Sequence, residues 1–186
     1  MATIEDGKGK NGKASVSSVQ RLNVSAKNAN RMFYSSRDFG NAYNAVYDNI
    51  TAVSGDYSAY LKNTSSTYNL FVSEIEFHSI NDTKWKIWEV TGTAASGETV
   101  TPSELNLSRN IPAPVIAMAG DTNITGLTNV QQIGSHRNTA ASDSGMDFGG
   151  SLILGPGDAI AIEVDVGVSG LVSHDLFFWM EEIGAS

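Results

Sequence analysis

Ala159-Ile160-Ala161-Ile162-Glu163-Val164-Asp165-Val166-Gly167-Val168 reads as the best strand in the chain. Ile160, Ile162, Val164, Val166 and Val168 recur at every second position, so an extended backbone places them on one face, with Ala159, Ala161, Glu163, Asp165 and Gly167 on the other. Branched residues in strict alternation fit a pleated surface with one buried side. Gly155-Pro156-Gly157-Asp158 opens the stretch: proline presets one turn dihedral and glycine supplies a positive φ. Gly170 starts the strand that follows, Leu171–Glu182. Val172, His174, Leu176, Phe178 and Met180 share one of its faces, Leu171, Phe177 and Trp179 the other, and from Leu176 to Met180 both faces are apolar. Such a strand is either central in its sheet or meets a second subunit with its outer face. Leu176, Phe177, Phe178, Trp179 and Met180 are accordingly expected to form a subunit contact, the alternative being a simple core strand or one covered by the N-terminal segment.

Working back from this end, the same period recurs. Ala42–Val53 is rich in Tyr, Val, Ile and Thr; Ser54-Gly55-Asp56 signals a turn; Tyr57–Lys62 alternates. On Leu70–Ile80 the alternation puts Phe71, Ile75 and Phe77 on one face and Glu74, Glu76 and His78 on the other. Asn81-Asp82-Thr83 then turns the chain into Lys84–Thr93, and these two strands read as a hairpin. Val115–Ala119 and Val130–His136 are short strands, Ser135–Gly150 reads as a polar, glycine-bearing loop, and Ser151–Leu154 as a short strand. Eight to ten strands with no sustained helical period predict an all-β protein, an antiparallel β-sandwich of jelly-roll-like form.

The beginning of the chain is different. Glu5–Lys13 is polar and glycine-rich, and Leu22–Ala26 alternates as one strand. Residues 1–37 hold seven basic and two acidic residues, a charge of +5; residues 38–186 hold five basic and eighteen acidic ones, −13, and together they make −8. The division expected is an extended basic N-terminal arm, 1–37, and a sandwich domain, 38–186. Such polarity favours docking onto an acidic surface.

Several chemistries are excluded or disfavoured. The chain has no cysteine, which removes disulfides, thiolate metal sites and thiol nucleophiles. The first residues carry no apolar run of a secretory signal, and no stretch is long and apolar enough to cross a bilayer, so a soluble chain made in a cytoplasm, with no membrane partner, is expected. Glu74 and Glu76 stand two apart on a strand face, as the carboxylates of some sugar hydrolases do, but the spacing reads as solvation. His78, His136 and His174 have no metal-ligand spacing, and His174 reads as a core or interface histidine. Asp121, Asp143, Asp147 and Asp158 match no calcium-loop pattern. The acidic body and the lack of aromatic interleaving in the arm argue against direct nucleic-acid binding. No enzyme and no cofactor are expected.

Three stretches together resemble small virion structural proteins of tailed bacteriophages. They are Asp6-Gly-Lys-Gly with Ala14-x-Val16 and Arg21-Leu22-x-Val24-x-Ala26; Tyr60-Leu-Lys-Asn63 leading into Leu70–Phe77 and on to Thr91-Gly-Thr and Thr101-Pro-Ser-Glu-Leu-Asn-Leu-Ser108; and Leu152-x-Leu154-Gly-Pro-Gly-Asp158-Ala-Ile through Phe178-Trp-Met-Glu-Glu182. The resemblance implies a jelly-roll sandwich incorporated in the particle and often trimeric, whose last two strands form a hairpin. The function expected on this basis is a head decoration or cement protein on the capsid exterior. Its partners would be the major capsid protein and further copies of itself, most simply as a trimer, and Lys8, Lys10, Lys13, Arg21 and Leu22 would face the capsid. The alternative is a tail-associated or host-receptor module that binds glycan through Tyr43, Tyr47, Tyr57 or Trp88.

Overall fold

The computed structural model describes residues 3–5, 13–16, 22–23, 32, 35–120, 123–166 and 170–184. The chain forms two compact units, Met1–Asn30 and Arg31–Ser186. In the first, β1 (Thr3–Glu5), β2 (Lys13–Val16) and β3 (Leu22–Asn23) make a small antiparallel sheet in that order.

Among the described residues the second unit has a π-helical turn, Ser35–Phe39, followed by eleven strands. They are β4 (Ala42–Ala52), β5 (Tyr57–Asn63), β6 (Tyr68–Ser79), β7 (Thr83–Ala95), β8 (Glu98–Val100), β9 (Ser103–Glu104), β10 (Val115–Ala119), β11 (Thr125–Asn138), β12 (Ser142–Leu154), β13 (Ala159–Val166) and β14 (Gly170–Glu182). A five-stranded sheet, β12-β6-β14-β4-β9, faces a six-stranded one, β11-β7-β13-β5-β10-β8. The protein is therefore the all-β antiparallel sandwich that the alternation predicts.

Its winding explains the pairing. Taking the eight long strands in chain order, the first pairs with the last (β4 with β14), the second with the seventh (β5 with β13), the third with the sixth (β6 with β12) and the fourth with the fifth (β7 with β11). Rolling up this nested set adds two more ladders, β14 with β6 and β13 with β7. That is the jelly-roll arrangement, and β8 to β10, inserted in the chain between its fourth and fifth strands, extend the opposite edges of the two sheets.

In this winding no two consecutive strands of the sandwich pair with each other. The expected hairpin of Leu70–Ile80 with Lys84–Thr93 is thus corrected: β6 and β7 lie in opposite sheets, and the turn at Asn81–Asp82 is a corner between layers. Phe77 and Trp85 meet across it with ring centroids 5.0 Å apart. The last two strands are likewise in opposite sheets rather than in one hairpin. The loop expected at Ser135–Gly150 is strand for most of its length, because glycine and serine there lie on an edge whose outer side chains need bury nothing.

The core between the sheets is filled by Tyr43, Tyr47, Leu61, Leu70, Ile75, Phe77, Trp85, Ile160, Ile162, Val164, Leu176, Phe178 and Met180, among others. One more face assignment changes. The β14–β6 register slips between Phe177 and Phe178, so Ser73 bulges out and Phe71 turns to the outer surface, opposite Ile75 and Phe77.

A second, smaller apolar cluster lies outside the six-stranded sheet. β7 runs past its last partner on β13 at Glu89, and only two residues separate it from β8, which pairs with β10 near the opposite edge. The β7–β8 segment therefore arches over the sheet. Beneath it Val90 and Ile124 pack with Tyr60, Ala159 and Ala161. Gly92 and Gly126 allow the bend: both have positive φ, and a Cβ on Gly92 would stand 2.2 Å from the Gly126 carbonyl oxygen.

Candidate functional site

The outer face of the five-stranded sheet holds a groove of about 470 Å³ lined by Glu74, Glu76 and His78 of β6, Asp143, Ser144 and Gly145 of β12 and Ser173 and Asp175 of β14. Alternation sends the side chains of Glu74, Glu76, His78, Asp143, Ser173 and Asp175 outward while Ile75 and Phe77, and Ser144 opposite Phe77, point inward. Glu76 stands directly opposite Asp175, and Glu74 opposite Asp147. Burial, followed by the charges of Glu74, Asp175 and Asp143, raises the carboxyl of Glu76 above the ordinary carboxylate range. His78 Nδ1 pairs with Asp143 at the exposed rim. Asp175 accepts a hydrogen bond from Asn44 Nδ2 at 3.1 Å.

The two glutamates that the spacing singled out therefore do share a face, in a crowd of like charge. Among the described residues no three His, Cys, Asp or Glu side chains converge in a way that could hold a metal ion. Of the aspartates considered for calcium, Asp147 accepts from Gly149 N at 2.7 Å and Asp158 from Gly155 N at 2.9 Å, both local turn contacts. Asp121 lies outside the described residues.

His174 sits on the inner face of β14, 1% exposed, ringed by Tyr47, Phe77 and Trp85. Its Nε2 is hydrogen-bonded with Ser58 Oγ at 2.8 Å, and Ser58 Oγ also lies 3.2 Å from the Ile162 carbonyl oxygen. Among the described residues neither Nδ1 of His174 nor Nε1 of Trp85 has a hydrogen-bond partner. Burial lowers the His174 pKa to about 3, so the ring is neutral. It is a core histidine.

The subunit contact expected on β14 is corrected in four of its five residues. Leu176, Phe178 and Met180 are 1%, 0% and 3% exposed within the single chain and belong to its core. Trp179 faces outward yet is only 4% exposed. It lies parallel to Phe71 at 5.4 Å, and the β12 bulge brings Gly150 against its ring, where a Cβ would come within 2.1 Å. Phe177 alone is half-buried. The doubly apolar strand is a central strand, flanked by β6 and β4.

Of the capsid-facing set, Lys8, Lys10 and Arg21 lie outside the described residues. Lys13 opens β2 and Leu22 opens β3.

The four aromatics proposed for glycan divide. Tyr43 and Tyr47 are core residues, 1% and 0% exposed, with phenols pushed up, Tyr43 to about 12, by burial. Tyr57 and Trp88 instead lie on the outer face of the six-stranded sheet, on either side of β13, both packed against the smaller apolar cluster. Trp88 Nε1 donates to Glu163 Oε2 at 2.7 Å, Lys86 Nζ donates to Glu163 Oε1 at 2.6 Å, and Tyr57 Oη donates to Asn129 Oδ1 at 2.6 Å. The hydrogen bond to Glu163 raises the Lys86 pKa. Sequence reading missed Glu163 and Asn129 as partners, although the position of Glu163 on the small-residue face of β13 was a signal.

Comparison with known proteins gave no match to a family model, to a curated protein or to a solved structure.

Proposed function

We propose that this chain is a non-catalytic virion structural protein, a capsid decoration or cement protein of the tailed-phage kind. It binds the outer capsid surface through its basic N-terminal segment, with the jelly roll displayed on the particle exterior. The observation that carries this reading is the charge split between the two units. Residues 1–30 hold five basic and two acidic residues, +3, and residues 31–186 hold seven and eighteen, −11, summing to −8. A cationic segment set apart from an acidic body steers toward an acidic surface while the body is repelled from it. The sandwich itself spends its side chains on a filled core and a covered central strand, which suits a displayed module.

Lys8, Lys10, Lys13, Arg21 and Leu22 are the capsid-facing residues in this reading. A trimer would present three such segments at once, and their joint binding would exceed that of one segment by avidity. Contact between copies is then assigned away from Leu176, Phe178, Trp179 and Met180, which the chain covers itself.

The test is add-back to particles stripped of the protein. The intact chain should bind and raise particle resistance to heat, with occupancy falling as salt rises. A Lys8→Glu, Lys10→Glu, Lys13→Glu variant should remain folded by circular dichroism and lose particle binding. Undiminished binding by that variant, or binding insensitive to salt, would overturn the assignment.

A further inference from the structure

We propose that the outer face of the six-stranded sheet, around Trp88, Tyr57 and Glu163, is a binding site for a neutral saccharide. Cross-strand register places the residues. Ser135, Lys86, Glu163 and Tyr57 lie in one row across β11, β7, β13 and β5, and Gln132, Trp88, Ala161 and Tyr60 lie in the next. Directly opposed residues of a ladder present their side chains on the same face. The two rows therefore set an indole and a phenol ring among a carboxylate, an ammonium, a primary amide and a hydroxyl.

The rings are pre-positioned. Trp88 and Tyr57 are partly buried against the apolar cluster under the arch, as are Met118 and Leu127. Their polar ends are tied to Glu163 and Asn129. Little rotamer freedom is left to lose when a ligand arrives.

Charge selects the ligand. The chain carries −8, yet Thr125–Ser135, the segment that flanks the aromatic pair, contains no ionisable side chain. Asn129, Gln131, Gln132 and Ser135 are exposed along it. Lys86 and Glu163 neutralise one another at 2.6 Å. Within the two rows the one cation, Lys86, is paired with Glu163 and has Asp165 3.9 Å away; Lys84 and Arg137 stand opposite Asp165 in the row beyond, on the side away from Trp88. A ligand with apolar C–H faces and hydroxyl edges matches both halves of the surface: faces stack on Trp88 and Tyr57, and hydroxyls exchange hydrogen bonds with Glu163, Gln132 and Asn129. The site lies wholly on the sandwich and uses no residue of the basic segment, so its loss and the loss of capsid docking are separable.

The experiment is to probe the full chain on an array spanning several classes of neutral glycan, with heparin as the anionic comparator. The strongest neutral binder is then titrated calorimetrically. Saturable binding of a neutral glycan is expected, weakened at least about tenfold by Trp88→Ala and partly restored in Trp88→Phe. Gln132→Ala and Asn129→Ala alter exposed side chains; each should weaken binding several-fold without moving the melting temperature. These two variants decide the matter if Trp88→Ala does not fold. Absence of any neutral binder, binding of heparin alone, or unchanged affinity in Gln132→Ala and Asn129→Ala would overturn the proposal.

Discussion

His174 shows how a single side chain sets a pH limit. Its ordinary pKa is 6.5, and burial takes it to about 3 in the fold. Between these values the unfolded chain binds a proton that the folded chain refuses, so stability falls as pH drops from 6.5 toward 3. His174→Phe should remove that slope and also the unpartnered Nδ1. Urea unfolding of both proteins at pH 7, 5 and 4 checks it: the gap between them should close, or reverse in favour of the variant, on acidification, and a constant gap would contradict the assignment. Gly150 is a second sensitive position. It has φ +83° and no room for a Cβ against Trp179. Gly150→Ala should cost about 1–3 kcal/mol and expose the indole, visible as a red shift in fluorescence. Asn63, one of several asparagines that look unremarkable in the sequence, is fully buried and donates to the carbonyls of both Tyr68 and Leu154 while accepting from Ser65 N. Leaving such groups unpaired costs about 1–3 kcal/mol each, so Asn63→Ala should rank among the most damaging single changes in thermal melts.

The elements carry a different kind of energetics. β6, β12 and β14 together expose Glu74, Glu76, Asp143, Asp147 and Asp175 on one face, with His78 paired to Asp143. Directly opposed like charges such as Glu76 and Asp175 cost roughly 0.2–1 kcal/mol. Because the Glu76 carboxyl is held above its ordinary value, its neutral form is favoured in the fold, and the associated stability is present at low pH and lost as pH rises through the raised value. This contribution runs opposite to that of His174. Glu76→Gln should therefore stabilise the protein at neutral pH by about the cost of the opposed pair, measured by urea midpoint; a lower midpoint would show that the carboxylate is needed there. The two long edges, β11 and β12, are managed differently. β11 slips register at Thr125/Leu127, Asn129/Gln131 and Gln132/Gly134, and β12 bulges between Asp147 and Leu152. Bulges of this kind deny a flat template to another chain.

At the scale of the whole molecule, what was legible in the sequence was whatever depends on period two. β4, β5, β13 and β14 fall within a few residues of where alternation puts them, and the Gly155–Asp158 turn forms as its residues dictate, with Asp158 N donating to the Gly155 carbonyl at 3.1 Å. Partnership between strands was not legible. Alternation states which side chains share a face but not which strand lies alongside, so adjacent strands such as β6 and β7 read as a hairpin when they belong to different layers. The candidate site suffered in the same way. Tyr57 and Trp88 are thirty-one residues apart and share one face only because β13 joins β5 and β7 in one sheet. The bulge at Ser73, which turns Phe71 outward to cover Trp179, leaves no mark on composition, and so a covered central strand read as an interface. The nested winding also predicts slow folding. With no ladder between consecutive strands, every pairing in the sandwich closes a long loop, and refolding from urea should take milliseconds to seconds or longer, without an early hairpin protected in pulsed hydrogen exchange.

The first and last long strands lie side by side, with Ala42 opposite Trp179 and Met180 N bonded to the Asn41 carbonyl at 2.8 Å. The sandwich therefore enters and leaves at one spot, and its backbone is nearly a closed circle. A circularly permuted gene that joins residue 183 to residue 41 by a short linker and opens the chain at Thr139-Ala140, an exposed corner between β11 and β12, should yield the same jelly roll. It would move the new ends to that corner, a point from which a cargo could be carried.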